Sequence, residues 1–182
     1  MADPQVKERL DSWDKFSITL YRLGMGVTAL ALLLLALQQL FYPYWFKHIL
    51  VFLALGALLQ ASSLHIYKKS VRWILVNACW IGVWLVSLAF ATSGLVAAYL
   101  SLGALFITLS GIAYKESFCF SLTLLKIMPL ILLFTWFALF FAQTLWASGG
   151  FIVSAFLYLY MAWKKSRMPL FYDLGDRKKY EI

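Results

Sequence analysis

The sequence is short of nearly everything that chemistry in water draws on. Charged residues make up 13% of its 182 residues, and only 8 of them are Asp or Glu. Its 4 Pro and 10 Gly exclude collagen-like or low-complexity character, and its 2 Cys cannot form a disulfide scaffold. With 2 His and no CxxC, HxxxH or HExxH spacing, no zinc site is indicated; no GxSxG or other serine-hydrolase motif occurs either. What remains is apolar. Hydrophobic residues reach 63%, against about 45–50% in an ordinary soluble domain. Mean hydropathy is +0.81, and there are 15 Phe, 10 Tyr and 8 Trp. A soluble domain of this size could not hide so much apolar surface, so the solvent has to be lipid.

A helix crossing the hydrocarbon needs about 20 mainly apolar residues. The first candidate covers residues 16–41 and is closed by Pro43, beside which Tyr42, Tyr44, Trp45 and Phe46 read as an interfacial aromatic belt. The second covers 46–66. Residues 71–113 carry no charge after Arg72 and as one helix would extend about 64 Å, so they must fold back, with the turn at Thr92-Ser93-Gly94. Residues 127–163, at about 55 Å, pose the same problem, and Ser148-Gly149-Gly150 is the expected turn. The expectation is an all-α polytopic membrane protein with six transmembrane helices, at about 72–91, 95–113, 126–146 and 149–163 after the first two. A leader (1–15), in which residues 4–15 could lie on the membrane surface, precedes this 16–163 membrane domain, and a basic tail (164–182) follows it.

Six spans sort the charges. Of the 16 Lys and Arg, Lys47 alone falls on one side, leaving 16 − 1 = 15 on the side of both termini. The positive-inside rule then makes both termini cytoplasmic, in a bacterial inner membrane.

Polar groups near a span need partners or water. Arg22 is expected either to snorkel to the headgroups or to face the bundle and pair with an acid. Glu116 is the only acid between leader and tail, in an apolar loop with Lys115, Phe118, Cys119 and Phe120. It reads either as half of a solvated Lys115–Glu116 pair or as a buried acid, for which an Arg22–Glu116 pair is expected. His65 falls at the same membrane face. It reads either as a headgroup-level residue or, with Cys119, as a weak ligand or base–nucleophile pair. Cys79, Asn77, Gln60 and Gln143 read as packing residues, the amides bonding between helices. Small residues at four-residue spacing (Ala57/Ala61, Ala78/Gly82, Ala97/Ser101), with Gly24 and Gly26, mark close helix approach. The tail, with Pro169 to Asp176, is expected to pack back near Glu116.

Leu20-Tyr21-Arg22, Leu64-His65-Ile66-Tyr67, Gly111 with Lys115-Glu116-Ser117-Phe118-Cys119-Phe120, and Leu174-Gly175-Asp176 together resemble the prokaryotic integral membrane proteins grouped as domain of unknown function 2301. The resemblance implies that these segments belong together; it supplies no chemistry. The candidate cluster is therefore Arg22, His65, Lys115, Glu116, Cys119 and Asp176, with no metal and no cofactor.

Three function classes compete. A non-catalytic scaffold, assembly or partner-binding component is favoured by the lack of a catalytic constellation. Its partners would be the bilayer and a membrane protein or second copy. The alternative is a small-solute or ion transporter with a cytoplasmic vestibule, and the last is a membrane enzyme using Cys119 and His65. Nucleic-acid binding is excluded, because the basic residues follow the membrane boundary.

Overall fold

The computed structural model describes residues 10–41, 43–64, 66, 68–92, 94–120 and 122–174, and among these there is no strand. Helix α1 (Ser12–Phe41) is followed by a 3-10 turn (Pro43–Trp45), α2 (Phe46–Ser62), α3 (Lys69–Ala91) and α4 (Leu95–Phe120). Then come α5 (Thr123–Lys126), α6 (Met128–Phe140), α7 (Thr144–Ser166) and α8 (Phe171–Leu174). Six of these close a ring in the order α1, α2, α3, α4, α6, α7, with α2 and α4 touching across it.

Among the described residues four helices, α1, α3, α4 and α7, are long and apolar enough to cross a membrane, which corrects the count of six. The other two are apolar but short. The 17 residues of α2 and the 13 of α6 extend about 25 and 20 Å, less than the roughly 30 Å hydrocarbon core. Outward faces are apolar, with Trp80, Trp84, Phe134 and Phe156 all exposed, as a lipid-facing surface requires.

The break between α3 and α4 falls where Thr92-Ser93-Gly94 placed it; Ser93 itself lies outside the described residues. The second break does not. Ser148-Gly149-Gly150 lies inside α7, and the chain turns instead at 141–143, where Ala142 takes a left-handed φ of 56°. The small residues there serve packing. A Cβ on Gly150 would collide with Thr135 of α6, and the Ser148 hydroxyl donates to the Ala36 carbonyl of α1 at 3.3 Å. α6 starts with Pro129 in its first turn, where the missing N–H costs nothing.

Close approach also fixes α1 on α2. A Cβ on Gly24 would lie 2.9 Å from the Gly56 carbonyl oxygen, and one on Gly56 would lie 2.9 Å from the Thr28 nitrogen. Beside this crossing the Gln60 amide donates to the Thr28 hydroxyl at 2.7 Å, the interhelical bond expected of it. Gly26 departs from expectation: nothing stands within 4 Å of its added Cβ. Asn77 bonds back to Trp73 of its own helix, and Gln143 is exposed in the turn, so neither bridges helices. Phe46 is in the core rather than an aromatic belt, whereas Tyr44 and Trp45 are exposed; Tyr42 lies outside the described residues. Of the 4–15 leader, residues 12–15 are already part of α1, and residues 1–9 lie outside the described residues.

Candidate functional site

The segment expected to be an apolar loop is helical: α4 runs on to Phe120, so Lys115, Glu116 and Cys119 occupy its last turns. The reason is periodic. Ile112, Ala113, Glu116 and Ser117 are all buried on one face, so the helix can continue provided that the Glu116 charge is met inside the bundle. It is. Glu116 is 0% exposed, and its two carboxylate oxygens face separate partners. The Tyr21 hydroxyl of α1 donates to Oε1 at 2.8 Å, with the Lys115 ammonium 3.3 Å from the same atom. The Lys165 ammonium of α7 stands 2.8 Å from Oε2. Lys115 also lies over the Tyr21 ring, 4.9 Å from its centre.

Lys165 reaches a second carboxylate as well. Its Nζ is 2.6 Å from Asp173 Oδ1, just beyond the end of α7, where the chain turns at 167–170 into α8. The other Asp173 oxygen takes Arg22 of α1: Nε and Nη2 both donate to Oδ2, at 2.8 and 2.6 Å. The rest of the guanidinium caps the turn, donating to the carbonyls of Met168 at 3.0 Å and Pro169 at 3.3 Å. Arg22 thus faces the bundle rather than snorkelling, but its acid is Asp173 and not Glu116. Asp173 arrives on α8, close enough for both Arg22 and Lys165, and Lys165 lies between the two acids. The result is a chain of charges, Arg22–Asp173–Lys165–Glu116–Lys115, that ties α1, α4 and α7 together and pins the segment after α7 beneath them.

Of the expected cluster, the structure brings together Arg22, Lys115 and Glu116 through Lys165 and Asp173. Cys119 is half-buried one turn beyond Glu116. His65 and Asp176 lie outside the described residues. Among the described residues, no three His, Cys, Asp or Glu side chains converge as metal ligands. Sequence reasoning missed Tyr21, Lys165 and Asp173 as members. A signal for Lys165 was present: the buried face of α7 runs through Phe151, Ser154, Tyr158 and Met161, and the next step of that period is Lys165.

A chain whose described residues form helices and no strand, four of those helices being able to cross a membrane, is an integral membrane protein. The chain belongs to the family described as uncharacterized integral membrane protein (DUF2301), whose pattern matches residues 59–181. A Haemophilus influenzae protein, described as an uncharacterized protein, is 37% identical over 183 residues that cover 100% of both chains. No solved structure matches.

Proposed function

We propose that this chain is a non-catalytic component of a bacterial inner membrane that acts through the end closed by the ion-pair chain, and that this end faces the cytoplasm. The observation that carries the reading is that all four carboxylate oxygens of Glu116 and Asp173 already face a cation or hydroxyl of the protein. The ion-pair chain keeps one cation in excess of its two acids, but neither carboxylate is left to bind a substrate cation or to serve as a base. Here the charges fasten a segment, and a fastened segment at a membrane surface is what a partner protein can dock against. The same occupied oxygens weigh against a vestibule for cations at this end.

Orientation follows from the basic residues: Lys115, Lys126, Lys164, Lys165 and Arg167 share one end with Arg22, while Lys47 lies beside the α3 terminus, bonded to the Ala89 carbonyl. The test is cross-linking in cells from cysteines placed at the exposed positions Ser166 and Tyr44. We expect Ser166→Cys to capture a protein in stoichiometric yield and to react with impermeant reagent only after the membrane is opened. Tyr44→Cys should react from outside. Capture at neither position, with the chain alone in mild detergent, overturns the partner reading. Labelling of Ser166→Cys in sealed cells overturns the orientation.

A further inference from the structure

The two faces of α7 differ in kind. One carries Tyr158, Met161 and Lys165 inward, to the bundle and the ion pairs. The other looks outward, and its chemistry changes along the helix. Phe156 and Leu159 are exposed and apolar, Tyr160 and Trp163 are amphipathic rings, and Lys164 and Arg167 are cations. Positions 156, 160, 163, 164 and 167 recur at steps of three and four, so they share one face. From Phe156 to Arg167 the helix rises about 16 Å, and the order along it is that of a bilayer leaflet, from hydrocarbon through interface to headgroups.

The two cations are held in place without being neutralised. The Arg167 guanidinium carbon lies 4.2 Å from the centre of the Trp163 ring. The Lys164 ammonium lies 6.0 Å from the same ring and 5.8 Å from that of Tyr160. A ring face attracts a cation but takes up none of its charge. Among the described residues, neither side chain meets an acid. Nor does the helix end draw them inward. The carbonyls of Lys164 and Lys165 take the backbone N–H groups of Arg167 and Met168, at 3.2 and 3.1 Å, and those of Met168 and Pro169 take Arg22. Two positive charges therefore stand one turn apart beside a lipid-facing tryptophan, where a bilayer carries its phosphates.

We propose that this face of α7 binds an anionic phospholipid. Its phosphate sits between Lys164 and Arg167, its glycerol lies beside Trp163, and an acyl chain follows Leu159 and Phe156. Charge selects the headgroup: a zwitterionic lipid brings an ammonium that the same two cations repel. The apolar half of the face selects a lipid over a soluble anion, which has no chain to lay there. The inference does not rest on the docking of a partner protein; it needs only that α7 crosses the bilayer.

The test is native mass spectrometry of the detergent-solubilised full chain with dioleoyl-phosphatidylglycerol and dioleoyl-phosphatidylcholine at equal concentrations. A basic residue at the membrane surface is worth about fivefold in affinity for an anionic lipid, so two predict a preference of about 25-fold for the glycerol lipid. Lys164→Gln/Arg167→Gln should lose most of it. Lys68→Gln/Lys126→Gln makes the same charge change at two other exposed lysines and should keep it. Glycerol 3-phosphate at the lipid's concentration should displace nothing. Equal binding of the two lipids by the unaltered chain overturns the proposal, whether or not the variants fold. Equal loss in the two double variants shows that any cation serves, and overturns the site. Displacement by glycerol 3-phosphate overturns the lipid as occupant. A preference that survives Lys164→Gln/Arg167→Gln also overturns the site, and if that variant loses the protein captured at Ser166→Cys, the two cations serve the partner instead.

Discussion

Replacing Lys165 by Met removes the one cation that stands between two buried acids, and the structure sets the size of the effect. Its Nζ lies 2.8 Å from Glu116 and 2.6 Å from Asp173. At an effective dielectric constant of about 20, each contact is worth about 6 kcal/mol before desolvation. Desolvating an ammonium costs several kcal/mol, so most of that attraction is offset. What the variant leaves behind is two carboxylates with one cation fewer. Removing a partner from a buried pair costs about 3–5 kcal/mol. The lower end applies here, because Glu116 keeps the Tyr21 hydroxyl and Lys115, and Asp173 keeps Arg22. The expected loss is therefore about 3 kcal/mol. Lys115→Met is the matched control: it removes the same charge from the same acid, but from a side chain 22% exposed and 3.3 Å away, for an expected cost of about 1 kcal/mol. Unfolding titrated with SDS in mixed micelles measures both. Thiol labelling adds a local readout, since half-buried Cys119 should react faster once the clasp opens while buried Cys79 stays protected. Equal stabilities for the two variants, with Cys119 labelling unchanged, would refute the reasoning.

Two further outcomes follow from the packing and the pairing. Gly24→Ala should destabilise by about 1–3 kcal/mol, because its Cβ would sit 2.9 Å from the Gly56 oxygen and from Leu59. Gly26→Ala, two residues on and facing open space, should instead gain up to about 1 kcal/mol from helix propensity; equal effects in the same titration would remove the close-approach argument. A double-mutant cycle between Arg22 and Asp173 should show a coupling of about 1–3 kcal/mol, and the cycle between Arg22 and Glu116 a smaller one. Accordingly, exchanging the charges of Arg22 and Glu116 should not restore folding. Recovery in that exchange would reinstate the direct pair.

Much of the fold was legible because lipid makes the rules few. Long uncharged runs had to be helices and had to turn back, and Thr92 and Gly94, with no competing role, marked one turn correctly. Ser148-Gly149-Gly150 misled for a physical reason: small residues permit a tight turn and equally permit two helices to touch, and sequence does not separate the uses. Thr135, thirteen residues before Ser148, decides it by filling the space that a side chain on Gly150 would need. The two short helices were over-extended for a related reason, since apolarity fixes that a segment avoids water and not that it crosses. In the site, Glu116 stood out as an isolated acid, and Arg22 as a cation within an apolar helix. Lys165 and Asp173 did not: the tail is expected to pack back near Glu116, but each sits near other charges and nothing in the sequence marks which of them enters the bundle. Only the register of α7 separates Lys165 from the exposed Ser166 beside it.

The cost of losing Lys165 and the worth of the ion-pair chain are different quantities. Buried pairs often contribute nothing against well-packed apolar residues of equal volume, because desolvation takes back what Coulomb attraction gives. Stability alone therefore does not account for three cations and two acids at the foot of this bundle. Geometry does. An apolar contact would hold the segment after α7 in many registers, whereas Arg22 accepts only one: its fork needs Asp173 and the carbonyls of Met168 and Pro169 at once. Lys165 then locks that register to Glu116, and so to α4. The charges specify where the segment lies, and the partner proposed above would require it to lie in one place.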